Sequence, residues 1–189
     1  MTASSMITKP TRVSSMMLKV LCALIPAIAT TVFFFGYGVL IQITLASLTA
    51  LLVEAAVLKL RRYPLKPFLL DGSALLSAWL LALSIPPTSP WWMIVLATAL
   101  AILIGKHIFG GLGNNIFNPA MVGFAILIVA YPAQMSAWIA PTGVMKVPVP
   151  DFMTQAHMIF QHNLPKAAFD AIASATPLDA FKTAMRYSD

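Results

Sequence analysis

The stretch VLIQITLASLTALLVEAAVL, residues 39–58, decides the fold, because its only charged side chain is Glu54. A helix of about 20 apolar residues is long enough to cross the roughly 30 Å of hydrocarbon in a bilayer. Lys59, Arg61 and Arg62 follow the stretch directly. Such cations are typical of the cytoplasmic end of a transmembrane helix. We therefore predict a membrane span over 39–58.

The composition of the whole chain agrees with this prediction. Hydrophobic residues make up 59% of the chain and charged residues only 10%, which is typical of an integral membrane protein and not of a water-soluble domain. The net charge is +6, but the cations are scattered between apolar blocks, so nucleic acid is not expected as a partner. The single cysteine, Cys22, excludes a disulfide within the chain, and we expect it to be a buried, inert thiol.

The apolar blocks predict an all-α membrane protein with about five transmembrane helices. Residues 1–18 are predicted to be a cytoplasmic lead, 19–132 the membrane domain and 133–189 an extramembrane tail. The third and fifth blocks are short for a bilayer, which indicates either a ligand or ion route or insertion into a larger complex. The predicted spans are about 20–35, 39–58, 73–86, 91–105 and 118–132.

Positive charge predicts the orientation. Cations precede the first span and follow the second, Lys106 follows the fourth, and the two turns on the other side have none. The N-terminus is therefore expected in the cytoplasm. Five crossings then place the tail on the opposite face of the membrane, which is predicted to be the periplasmic one.

The tail is predicted to hold a short amphipathic helix that begins after Asp151. Its shared apolar face is expected to comprise Phe152, Ala156, Ile159 and Phe160. A second helical piece is predicted over 167–173. His157 and His162 are five residues apart, a spacing that does not place two ligands on one helical face, so no metal site is predicted.

Near the end of the chain, Ser174-Ala175-Thr176-Pro177-Leu178-Asp179 is typical of a helix start. Thr176 suits the N-cap position and Pro177 the first helical position. The same geometry would present the Thr176 hydroxyl from a stiff corner, beside free N–H groups that attract an anion such as a phosphate. From these residues alone, an ordinary cap is the stronger interpretation.

Several other features could carry chemistry. Glu54 is either a bundle-facing, proton-linked residue or an acid that extends to the interface near Lys59. His107, beside Lys106, is interpreted as a marker of the water boundary. The loop over 110–119 is either a glycine-rich binding loop or a simple turn. The run over 84–90 could line a cavity, but its prolines favour the interpretation as a rigid turn.

Three stretches together resemble one family. They are Leu81 to Pro87 with Pro90-Trp91-Trp92, the block from Gly110 to Met121, and Ala175-Thr176-Pro177-Leu178-Asp179. They are similar to the D subunit of the Rnf (Rsx) ion-translocating electron-transport complex over residues 17–186. They are similar, more distantly, to the B subunit of the sodium-pumping NADH:quinone reductase.

The resemblance implies that Thr176 carries covalent FMN through a phosphoester bond. A flavin transferase would attach it, and Asp170 matches the acid of the recognition motif. Ala173 and Ser174 stand where the motif usually has Ser or Thr followed by Gly. Thr176 would be an attachment point, and no catalytic residue is expected. The resemblance leaves open whether a second flavin is bound noncovalently.

The implied function is electron relay in a membrane complex, coupled to movement of Na⁺ or H⁺. The other subunits of that complex, the flavin transferase and membrane lipid are the expected partners. Family members continue into a second membrane half, so this chain would correspond to the N-terminal half. Two rival classes are a transporter or channel subunit without a cofactor and a purely structural membrane subunit.

Overall fold

The computed structural model describes residues 13–110, 114–139, 141 and 149–161. These residues form helices and contain no β-strand, which confirms the all-α prediction for this part of the chain. The helices are α1 (Val13–Phe35), α2 (Gly38–Leu60), α3 (Leu65–Leu69), α4 (Ser73–Ser84), α5 (Trp91–Leu100), a π-helix that continues α5 (Ala101–Ile108), α6 (Pro119–Ala130), α7 (Pro132–Met135) and α8 (Phe152–Gln161).

In the part of the chain that the structure describes, four helical stretches are long and apolar enough to cross a membrane: Val13–Phe35, Gly38–Leu60, Leu65–Ser84 and Trp91–Ile108. The third combines α3 and α4, which are separated by a turn at Gly72 with φ of 79°. The helix α6 is apolar but has only 12 residues, which corresponds to about 18 Å. The five predicted spans thus coincide with apolar helices, while their crossing of a membrane and its direction stay predictions.

The core lies between α2, α4, α5, the π-helix and α6, and small residues let these helices approach closely. A Cβ atom added at Gly105 would lie 2.7 Å from Pro119 Cα, and one added at Gly123 would lie 2.8 Å from the Ala97 carbonyl oxygen. Buried alanines line the facing sides of α2 and α4. Such small-residue contacts are a usual basis of helix packing in membranes, where lipid removes the hydrophobic drive between helices.

The helix α1 lies on the outside of this core and contains no buried residue. Cys22 is accordingly exposed, so the expectation of a buried thiol is wrong. The reason is that an apolar block can face lipid or another subunit as well as a core, and hydropathy does not separate these environments. Cys22 therefore belongs to the outer surface of the described bundle.

The helix α8 is confirmed, but its predicted apolar face is partly wrong. Gln155, Met158 and Ile159 are the buried residues, whereas Phe152 and Phe160 are about half exposed. Gln155 decides the rotation of the helix, because its side-chain oxygen accepts a hydrogen bond from Gly38 N at 2.5 Å and its side-chain nitrogen donates to Pro150 O at 2.8 Å. The hydrogen bonds of Gln155 thus determine which face of α8 is buried, and burial of the two phenylalanines does not.

Asp151 begins α8 as predicted. Hydrogen bonds lower the pKa of Asp151, chiefly one donated by the Thr154 hydroxyl and then those from the backbone N–H groups of Thr154 and Met153. The predicted second helical piece over 167–173 and His162 lie outside the described residues.

Candidate functional site

Thr176, Asp170 and Ser174 lie outside the residues that the structure describes. The predicted FMN attachment therefore stays a prediction from the sequence. The polar groups that the structure does bring together lie around Glu54, inside the helical bundle.

The π-helix over Ala101–Ile108 creates this site. A π-helix is wider than an α-helix, is rare in proteins and occurs often at functional sites. Here it contains Lys106 and His107, whose side chains are both buried, at 4% and 7% exposure. The π-helix approaches α6 closely because Gly105 packs against Pro119. Two adjacent ionisable residues are thus held inside an apolar bundle.

Four side chains form a continuous set of hydrogen bonds that we call the buried polar network: Glu54, Lys106, Ser73 and Asp71. Lys106 Nζ donates to Glu54 Oε1 at 2.6 Å and to Ser73 Oγ at 2.7 Å. The Ser73 hydroxyl in turn donates to Asp71 Oδ1 at 2.6 Å. The network joins the fully buried Glu54 to Asp71, which is only partly buried.

Local structure fixes the Asp71 end of the network. Asp71 Oδ1 also accepts a hydrogen bond from the backbone N–H of Ser73 at 2.7 Å, across the left-handed turn at Gly72. This is the usual way in which an aspartate satisfies a free amide at a helix start. The sequence Asp71-Gly72-Ser73 therefore holds a carboxylate against the Ser73 hydroxyl, whose oxygen accepts from Lys106.

Two buried atoms at the other end of the network have no hydrogen-bond partner among the described residues: Glu54 Oε2 and His107 Nε2. They lie 3.7 Å apart. The backbone oxygen of His107 accepts a hydrogen bond from Arg61 at 2.9 Å, which ties the π-helix to the end of α2. A small rotation of the His107 side chain would bring Nε2 within hydrogen-bond range of the Glu54 carboxylate.

These contacts decide between the interpretations of Glu54. Glu54 is fully buried and paired with Lys106, so it faces the bundle and does not extend to the interface near Lys59. The interpretation of His107 as a mark of the water boundary is wrong, because the ring is buried. Lys106 is likewise no freely exposed loop cation, since it neutralises Glu54.

Sequence reasoning had singled out Glu54 but not its partners. An acid inside an apolar block needs a compensating group, because a lone charge in a membrane is costly. That group is Lys106 of the π-helix, which is 52 residues from Glu54 along the chain. Lys106 also donates to Ser73, which follows the turn at Gly72 and is 33 residues from Lys106. Spacing along a sequence does not reveal such pairs.

The opposite end of the bundle holds the run over 84–90, which the structure describes as a buried turn. Pro86, Pro87 and Pro90 are all buried. Gln42 from α2 donates to Ser89 O at 2.6 Å. These contacts favour the interpretation as a rigid turn. Of the loop over 110–119, Asn118 is the N-cap of α6, since its side chain accepts a hydrogen bond from Ala120 N at 3.0 Å.

Comparisons with known proteins give the relationship of this chain. It is 48% identical over 181 residues to the D subunit of the ion-translocating oxidoreductase complex of Escherichia coli O1:K1 / APEC, and the match covers 92% of this chain and 51% of that protein. The same protein of strain K12 / DH10B is also 48% identical, and that of strain SMS-3-5 is 47% identical, with the same coverage. The chain thus spans about half the length of the curated relatives it matches.

The sequence model of one family matches the chain over residues 1–189. This range includes both the helices of the buried polar network and the stretch around Thr176. Because the match extends over the whole sequence, the chain belongs to the NQR2, RnfD, RnfE family.

Proposed function

We propose that this protein is a membrane subunit of an ion-translocating oxidoreductase complex. The observation that carries the proposal is 48% identity, over 92% of the chain, to proteins named as the D subunit of such a complex. The apolar helices suit a subunit held in a membrane. The partners in this proposal are the other subunits of the complex and the surrounding lipid.

The cofactor in this proposal is FMN, joined through its phosphate to Thr176. The support comes from the sequence: Thr176 precedes a proline, follows a small residue and is placed six positions after Asp170. A flavin transferase would make the bond. Bound FMN would supply the electron-transfer chemistry, while the protein would hold and orient the isoalloxazine ring. Thr176 would serve as an attachment point and take no part in electron transfer.

The buried polar network supports the ion-translocating half of the proposal. An ionisable pair inside a membrane bundle is costly to maintain, and such pairs mark ion and proton routes in pumps and transporters. Glu54 and Lys106 have side-chain exposures of 0% and 4%, and their charged atoms are 2.6 Å apart. A purely structural subunit would not need this pair, since apolar residues of similar volume usually stabilise a core at least as well.

The rival classes differ from the proposal in whether flavin is bound. The decisive experiment is in-gel fluorescence of the denatured protein after co-expression with the transferase. The proposal predicts a fluorescent band at the mass of this chain. A dark band from correctly inserted protein would instead favour a transporter, channel or structural subunit.

A further inference from the structure

The hydrogen bonds of the buried polar network lead away from Lys106 on two sides, to Glu54 on one and to Ser73 and then Asp71 on the other. Lys106 donates to Ser73, and Ser73 donates to Asp71, at 2.7 and 2.6 Å. Ser73 thus accepts a hydrogen bond from Lys106 and donates one to Asp71, while the Lys106 ammonium group is a donor to both of its neighbours. We propose that the network is a proton relay that connects the interior of the bundle to water at Asp71.

The relay can be written with every proton accounted for. In the first step, the Ser73 O–H bond breaks as its proton moves to Asp71 Oδ1, and a Lys106 N–H bond breaks as its proton forms a new O–H bond on Ser73. Lys106 is then a neutral amine and Asp71 a neutral acid. Asp71 releases its proton to water and becomes a carboxylate again.

The second step resets the network. A hydronium ion that reaches the interior breaks one of its O–H bonds and protonates Glu54 at Oε2, leaving a water molecule; Oε2 lies 3.7 Å from His107 Nε2 and has no hydrogen-bond partner among the described residues. The carboxyl group then rotates so that its protonated oxygen takes the place of Oε1, which contacts Lys106 Nζ at 2.6 Å, and its O–H bond breaks as the proton forms a new N–H bond on the Lys106 amine. Glu54 and Lys106 regain their charges. One proton has moved from the His107 side of Glu54 to water, and no oxidant or reductant is consumed in these steps.

The position of the four groups suits such a path. Glu54 lies six residues before the end of α2 at Leu60, which corresponds to about 9 Å along the helix axis. Ser73 is 5% exposed, while Asp71 is only partly buried. The network therefore leads from the fully buried Glu54 to the partly buried Asp71 through side chains alone. Cation asymmetry predicts that this surface is the cytoplasmic one.

The same geometry favours a proton over a metal cation. The position on Glu54 Oε1 that Na⁺ would need is filled by the Lys106 ammonium group. A metal site would also need several more oxygen ligands at short range. Among the described residues, the ionisable side chains within 4 Å of the Glu54 carboxylate are those of Lys106 and His107, both on the π-helix, and neither offers an oxygen ligand.

Ser73 offers the sharpest test, because its hydroxyl can be removed without changing any charge. In the Ser73→Ala variant the backbone N–H of residue 73 still satisfies Asp71, so the start of α4 is kept. Ser77→Ala is the matched control: Ser77 is also buried on α4, but its hydroxyl donates to the Ser73 carbonyl of the same helix at 3.0 Å and lies outside the relay. Ser73→Thr restores a hydroxyl at the relay position.

The first measurement does not depend on ion translocation. Lysine side chains of the full chain in detergent micelles are labelled with nitrogen-15, and exchange of the Lys106 ammonium protons with D₂O is followed by NMR. Removal of the relay hydroxyl should slow this exchange by roughly 10²-fold, the lower end of what a positioned proton-transfer group contributes. Ser77→Ala should exchange as the unaltered protein does, and Ser73→Thr should recover. Equal exchange rates in Ser73→Ala and Ser77→Ala would overturn the relay.

The second measurement rests on the proposed function. The assembled complex is placed in vesicles of phosphatidylethanolamine and phosphatidylglycerol, an artificial reductant is supplied, and a trapped dye reports internal pH. Ser73→Ala should abolish most of the pH change while Ser77→Ala retains it. Movement of Na⁺ without a pH change would contradict the relay. If the unaltered complex moves no ion, the proposed function fails, and the exchange measurement alone decides on the relay.

Discussion

Loss of the Glu54 charge should strongly destabilise the bundle, and the structure gives the size of the effect. In Glu54→Gln, the Lys106 side chain, which is 4% exposed in the unaltered protein, loses its anionic partner at 2.6 Å. Breaking a buried ion pair from one side costs about 3–5 kcal/mol, because an uncompensated charge stays in the interior. A solvent-exposed pair would cost only about 0–1 kcal/mol. The two environments therefore predict distinguishable results.

The assay is a double-mutant cycle on unfolding by SDS in mixed micelles. Glu54→Gln and Lys106→Met should each lower the free energy of unfolding. The loss in the double variant should be smaller than the sum of the two single losses by at least about 2 kcal/mol, because the double variant buries no unpaired charge. Ser77→Ala, which loses only a hydrogen bond to its own helix, should change the free energy of unfolding by less than about 1 kcal/mol. Strictly additive effects of the two substitutions would refute the assignment of a buried, mutually neutralising pair.

Three further predictions concern packing, the α8 contact and topology. Gly105→Ala should destabilise the protein by about 1–3 kcal/mol in the same SDS titration, because its Cβ would lie 2.7 Å from Pro119 Cα; an unchanged midpoint would contradict the close approach. Gln155→Met should remove the hydrogen bond between α8 and Gly38 at the start of α2, and residues 149–161 should become more sensitive to limited proteolysis. His157→Met, on the exposed face of α8, should leave this sensitivity unchanged. A reporter fused after Asp189 should be periplasmic and one inserted near Arg62 cytoplasmic, and the reverse pattern would overturn the five-span topology.

The fold was predictable from the sequence to the extent that hydropathy determines it. Long apolar blocks mark where helices lie, because unpaired backbone groups cannot be left in hydrocarbon. The block over 39–58 accordingly corresponds to α2, Gly38–Leu60. Hydropathy does not determine which side of a helix meets protein or lipid. Cys22 on α1 and Phe160 on α8 are both exposed for this reason.

Of the buried polar network, only Glu54, the residue whose charge is most unfavourable in an apolar block, was predictable from the sequence. Glu54 stands out because a single acid interrupts an apolar block. Its partner Lys106 resembles an ordinary cation at the end of a span, and only the π-helix brings it inward. Ser73 and Asp71 belong to a short turn that resembles an ordinary loop in sequence. Their role depends on tertiary contacts, since Lys106 is 33 residues from Ser73 along the chain.

The measurement that tests the central claim most directly is mass-spectrometric mapping of flavin on the protein co-expressed with the transferase. We expect FMN on the peptide that contains Thr176, and none on any peptide of the Thr176→Ala variant. That variant should still insert, because loss of one helix cap costs only about 1 kcal/mol. Ser174→Ala is the nearby control and should retain the flavin. Flavin on Ser174, flavin that persists in Thr176→Ala, or inserted unaltered protein that carries no covalent flavin would contradict the account.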